Sequence, residues 1–175
     1  MRLFPRIALV VAALAIAVFA VPGAWADNFS FTGSLTGDND VQLFTFSVGS
    51  TSTVTLETLS YAGGVNSAGQ TIPEGGFDPI LALFDSTGAL INQNDDGGAN
   101  VPADSVTGEH YDTYLQDTLG PGTYTVGVME YPNFAIGPNL SDGFQVTDPN
   151  YTGSYNETGA CSQFVDVTGS CRTAN

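Results

Sequence analysis

Residues 79–93 read PILALFDSTGALINQ, and they decide the fold. Pro79 to Asp85 is nearly all apolar, the pattern of a strand covered on both sides. Ser86-Thr87-Gly88 is a turn, and Ala89 to Gln93 continues beyond it, so the segment reads as a β-hairpin. Working outward, strand alternation recurs on either side. Asn28 to Leu35 sets Phe29, Phe31, Gly33 and Leu35 on one side, and Val41 to Val48 sets Phe44, Phe46 and Val48 opposite Thr45 and Ser47. Ser52 to Tyr61 places Val54 and Leu56 opposite Thr53, Thr55 and Glu57, and Gly122 to Tyr131 alternates with Tyr124, Val126 and Val128 on one face. These runs are rich in Val, Thr, Phe and Tyr and are punctuated by Gly, Pro, Asn and Asp. No stretch carries a sustained helical period, and no internal repeat is found. The fold class is all-β, an antiparallel β-sandwich.

Two connections exceed what a sandwich needs: Ala62 to Phe77, rich in Gly and Ser, and Asn94 to His110, acidic and Gly-rich. Long loops in compact domains are often functional. Beyond Tyr131 the pattern fades, and residues 132–160 read as loops with short strands at Gly143–Val146 and Tyr151–Tyr155.

The first 26 residues set the compartment. Arg2 and Arg6 precede fifteen unbroken apolar residues, Ile7 to Val21, then Pro22-Gly23 and the small-x-small pattern Ala24-Trp25-Ala26. This is the pattern of a secretory signal peptide cleaved after Ala26. A spanning helix needs about 20 apolar residues, more than this run supplies. Removing 26 of the 175 residues leaves 149, a length suited to one domain. All 18 acids lie from Asp27 onward, whereas Arg172 is the one remaining base, giving the mature chain a net charge of −17. Such a surface repels nucleic-acid phosphates and anionic headgroups and attracts divalent cations, although acids also simply solubilise a secreted protein. The mature protein is expected to be secreted (extracellular, cell-surface or periplasmic), without membrane insertion and without a nucleic-acid partner. Export also favours a disulfide between Cys161 and Cys171, closing a short C-terminal tail over residues 161–175.

Three segments, FTGSLTGDNDVQLFTFSV, FDPILALFDSTGALINQNDDGG and LGPGTYTVGVMEYPNFAIGPNLSDGF, occur in that order between Phe29 and Phe144. Together they resemble the bacterial pre-peptidase C-terminal (PPC) type of domain, of the kind found in exported proteins that often carry a PEP-CTERM sorting tail. The D-x-D-x-x-x-F opening, the DP-x-L-x-L-x-D strand, the NDD turn and the GTY strand are specific in combination, and each alone is weak. The resemblance implies a jelly-roll-like β-sandwich over residues 27–160, usually an accessory module beside a catalytic domain or a free-standing surface protein. Some relatives bind calcium and polymeric substrates. The chain departs from the pattern in having no peptidase domain and in ending at FVDVTGSCRTAN, where similar proteins run on into a last strand and sorting tag, as a truncated or a released form would.

Calcium takes 6–8 oxygen ligands from carboxylates, carbonyls and water. Asp95 and Asp96 lie in Asn94-Asp95-Asp96-Gly97-Gly98, Asp78 opens the apolar strand, and Asp112 follows the acidic loop. In a hairpin-linked sheet these four converge at one end, with Asp104 and Glu109 in the same loop. The competing reading makes Asp95-Asp96-Gly97 turn chemistry alone, its carboxylates bonding backbone amides, with Asp78 before Pro79 and Asp85 before Ser86 as strand ends. Asp38-Asn39-Asp40 ranks lower, as the turn joining the first two strands. Enzyme chemistry is poorly served. His110 is the sole histidine, no G-x-S-x-G elbow accompanies it, and one His with two distant Cys makes no zinc set. Tyr111, Tyr114, Tyr131, Phe134, Tyr151 and Tyr155 suit either a sugar- or matrix-binding face or a core. The expected function is an exported, non-catalytic binding or structural module, calcium-stabilised, with an extracellular polymer or surface protein as partner. The alternative is an accessory domain of a secreted hydrolase or peptidase.

Overall fold

The computed structural model describes residues 28–147 and 164–174. The expected signal peptide, Cys161, Tyr151 and Tyr155 lie outside the described residues. Among the described residues ten strands follow one another: β1 (Val41–Val48), β2 (Ser52–Glu57), β3 (Gly64–Val65), β4 (Thr71–Ile72), β5 (Pro79–Phe84), β6 (Leu90–Asn94), β7 (Tyr114–Leu119), β8 (Gly122–Glu130), β9 (Phe164–Val165) and β10 (Cys171–Arg172). The main sheet is antiparallel in the order β1-β8-β5-β6, and β2 pairs with β7 as a separate antiparallel ribbon. No helix among the described residues is long and apolar enough to cross a membrane.

Every residue of β5 is buried, as its unbroken apolar run requires. Successive side chains point to opposite faces of a strand, so β5 serves two cores. Leu81 and Leu83 join Phe46 and Val126 of the sheet against Leu115 and Leu119 of β7. Val54 and Leu56 of β2 pack on the same cluster, which makes the β2–β7 ribbon the second layer of a sandwich. On the other face Ile80, Ala82 and Phe84 pack with Met129, and Ala135 and Phe144 of the segment after β8 cover them.

Strand bounds agree closely with the periodicity for β1, β5, β6 and β8. Three expected elements differ. Strand β2 ends at Glu57, short of the expected Tyr61. Residues 28–35 form no ladder, leaving Phe29 and Phe31 54% and 46% exposed. Alternation encodes which side chains face together, but not whether a partner strand is present. Leu35 instead docks with Phe77 and Phe164, and its N–H donates to the Ala174 carbonyl. The expected strand at Gly143–Val146 is a bridge from Phe144 to Ala135 followed by a 3-10 turn over Gln145–Thr147. Strand β7 was not apparent from the sequence. Its inward residues Leu115 and Leu119 flank Asp117, which accepts a 2.9 Å bond from the Asn92 amide of β6 and ties the two layers at their edge.

Leu83, wholly buried between the layers, tests this architecture. Leu83→Ala is expected to cost about 2–5 kcal/mol, read as a lower urea midpoint at unchanged slope.

Candidate functional site

Antiparallel pairing brings the site together. Leu81 of β5 lies opposite Asn94 of β6, so the start of β5 and the end of β6 share one end of the sheet. Pro79 lies opposite Glu130, which brings Tyr131 to that end as well, its N–H donating to the Asp78 carbonyl at 2.9 Å. The turn after β6 is held firmly. Asn94 donates its side-chain amide to the Tyr114 carbonyl at 2.6 Å, and the buried Thr113 hydroxyl lies 2.6 Å from the Asp95 carbonyl. Gly97 is needed because a Cβ there would lie 2.8 Å from the Asp112 carbonyl oxygen, the acceptor for the Gly97 N–H. Gly98 follows at φ +53°, a left-handed conformation that suits glycine.

Asp78, Asp95 and Asp96 thereby each present a carboxylate oxygen within 4.8 Å of the other two. They line a cavity of about 140 Å³ with Tyr111, Tyr131 and Val167. Asp78 is only 5% exposed. Among the described residues, Asp78 Oδ1 and Asp95 Oδ1 are buried with no hydrogen-bond partner. A buried carboxylate without a partner is costly, and the usual remedies are protonation or a cation. Burial first, then the neighbouring carboxylates Asp95 and Asp96, pushes Asp78 up to about 9. Burial, then Asp96, raises Asp95 to about 7, and burial, then Glu109, raises Asp96. An all-oxygen set of converging carboxylates with unbonded oxygens fits a metal cation, so the cluster can hold one.

Asp112 does not join these three. It is fully buried, and its oxygens already accept bonds from the backbone N–H groups of Ser60, Tyr61 and Ala62 at 2.7, 3.1 and 2.7 Å and from the Thr58 hydroxyl at 2.9 Å. Its carboxylate organises the chain leaving β2. Asp85 has the same kind of role, accepting from Thr87 and Ala89. Asp40 accepts from the Thr36 N–H in the turn that leads into β1. Nδ1 of His110 bonds the Val101 carbonyl at 2.7 Å, within its own loop. Of the aromatic residues singled out, Tyr111 and Tyr131 line the cavity, Phe134 packs edge-on against Tyr131, and Tyr114 lies on β7.

Asp104 is not a cluster member either. It forms a two-bond pair with Arg172, at 3.1 and 3.2 Å, and Arg172 Nε donates to Asp166 at 2.8 Å. Burial alone would raise Asp104, but bonds from Arg172 and Thr107 outweigh it and hold the group at about 2. The sequence signal for Arg172 was its isolation as the single base after residue 26. Cys171 lies in β10, and its expected partner Cys161 is outside the described residues. In comparisons with known proteins, no family model, curated protein or solved structure matches this chain.

Two outcomes follow from this geometry. Asp112→Asn leaves one oxygen where several N–H donors converge, and is expected to cost about 1–3 kcal/mol, equally with and without divalent cation. For Asp78 and Asp95 the folded values lie above the ordinary 3.8, so the folded chain holds more protons than the unfolded chain from about pH 4 upward. Stability in chelator should therefore fall as pH rises from about 4 to 9. Asp78→Asn should flatten that fall in thermal melts and raise the melting temperature at pH 8.

Proposed function

We propose that this chain is an exported, non-catalytic β-sandwich module of jelly-roll type, acting at the cell surface or in the extracellular matrix, whose loop end binds calcium through Asp78, Asp95 and Asp96. The observation that carries the reading is that Asp78 and Asp95 each bury an unbonded oxygen in a cluster where they and Asp96 each bring one carboxylate oxygen within 4.8 Å of the other two. The donors are oxygen alone, which favours hard cations over zinc. Magnesium dehydrates reluctantly and suits a site with more retained water. Carbonyls and water would complete the shell, and bound calcium would supply the counter-charge that the cluster lacks. The −17 charge of the mature chain raises the local concentration of divalent cations around it.

The same features support a binding rather than a catalytic role. The single histidine bonds its own loop, and the resemblance to PPC-type modules points to attachment or assembly. Tyr111 and Tyr131 give the cavity rim the amphipathic surface on which a polymer can rest.

A thermal melt of residues 27–175 in calcium and in chelator tests the reading. Calcium at 100 times its dissociation constant should add about 2.7 kcal/mol, a rise of several degrees. Asp95→Asn combined with Asp96→Asn should abolish that rise. An identical melt with and without calcium in the unaltered chain would overturn it.

A further inference from the structure

The hairpin β9–β10 reaches the cavity from the far end of the chain. Its turn residue Val167 is one of the lining side chains, although 60% exposed. Three independent attachments hold the hairpin there. Phe164 packs on Phe77, ring centroids 5.9 Å apart, and Phe77 directly precedes Asp78. Thr173 donates its N–H to the Gly75 carbonyl at 2.9 Å, and Thr173 bridges Gly76 in parallel register. The third attachment is Arg172. Its side chain is almost wholly buried, forked onto Asp104, bonded to Asp166, and stacked 3.6 Å above the centroid of the Tyr61 ring.

Each partner of Arg172 stands one step from the cavity. Asp166 adjoins Val167 and also accepts the Tyr61 hydroxyl at 2.7 Å. Tyr61 packs on Tyr111, ring centroids 5.0 Å apart, and Tyr111 is another wall. Asp104 belongs to the acidic loop that leaves the Asp95-Asp96 turn. Asp166 also adds to the negative field at Asp78, and Arg172 pairs with Asp166 at 2.8 Å. Arg172 thus bonds Asp104 and Asp166 rather than the cluster, and through Asp166 and Tyr61 it holds the neighbours of two cavity walls, Val167 and Tyr111.

We infer that the Phe164–Arg172 hairpin is a strap that completes the cation site, with Arg172 as its positioning residue, so that cation binding and strap docking reinforce each other. The inference rests on the calcium reading above. Coupling of this kind is reciprocal: if docking tightens calcium binding by some factor, calcium must suppress strap opening by the same factor.

Two measurements on the exported chain test it. In the first, hydrogen exchange at the bonded amides of Asp166, Gly169 and Thr173 is followed at fixed pH in calcium and in chelator. These amides should slow by about tenfold in calcium, within the usual range of site-to-site coupling. In the second, calcium affinity is compared for the unaltered chain, Arg172→Gln and Arg172→Lys. Arg172→Gln should bind calcium about tenfold more weakly, and Arg172→Lys, which keeps the charge but loses the fork, should fall between. A purely structural arginine would lower the melting temperature while leaving strap exchange in the unaltered chain indifferent to calcium. Calcium binding with unchanged strap exchange would overturn this inference alone, and the absence of calcium binding would overturn both. Should Arg172→Gln fail to fold, the exchange measurement on the unaltered chain decides the matter.

Discussion

Strand β5 has solvent on neither face, so two separate parts of the chain must cover it. The β2–β7 ribbon covers Leu81 and Leu83, and the segment after β8 covers Ile80, Ala82 and Phe84. Both coverings bring their connections to the end of the sheet where β5 begins. Asp78 occupies that end, directly before Pro79, with Tyr131 bonded to its carbonyl. A residue at the exposed end of an ordinary surface strand would be solvated. Here the double covering draws Asp78 into a buried position, and the hairpin sets Asp95 and Asp96 against it. The acidic cluster follows from how the apolar strand is packed.

The acids at this end fall into two groups, which differ in their partners. Asp112 faces converging backbone N–H groups, and Asp104 and Asp166 face Arg172. For these, hydrogen bonds offset the cost of burial. Asp78 and Asp95 are desolvated beside like charge, and their raised proton affinities follow from that. A search for acidic residues would treat all of them alike. The hydrogen bonds separate acids that hold the loops from acids that leave a cation's place in the fold.

Much of this was legible in the sequence where a side-chain period coincides with a ladder. The unbroken apolar run of β5 and the alternation of β1 and β8 mark those strands and their faces, and the hairpin spacing foreshadows the meeting of Asp78 with Asp95 and Asp96. The rest depended on partners distant in the chain. Residues 28–35 alternate as well as any strand, yet Leu35 is taken by Phe77 and Phe164 and no ladder forms. The strand at 114–119 is obscured by Asp117, whose polar side chain is explained by Asn92 on the neighbouring layer. Asp112 looks like the fourth ligand in linear order, but the N–H groups that claim it lie about fifty residues upstream, in a turn no local pattern describes. Arg172 has no motif around it, and its importance lies in three side chains, Tyr61 and Asp104 from two distant segments and Asp166 from its own hairpin.

That single arginine also bears on why the cluster lacks an internal counter-charge. From Asp27 onward the chain has one arginine and no lysine for 18 acids, and that guanidinium is engaged by Asp104, Asp166 and Tyr61. With no lysine in the chain, the charge of Asp78, Asp95 and Asp96 must be met by protons or by ions from solution. Surface charges farther away act on such an ion only within a Debye length of about 8–10 Å at physiological salt. The buried carboxylates are screened far less. For the cation proposed above, selectivity at this end of the sandwich would be set by the few oxygens that β5 and its hairpin desolvate, while the excess surface charge would mainly govern how readily cations arrive.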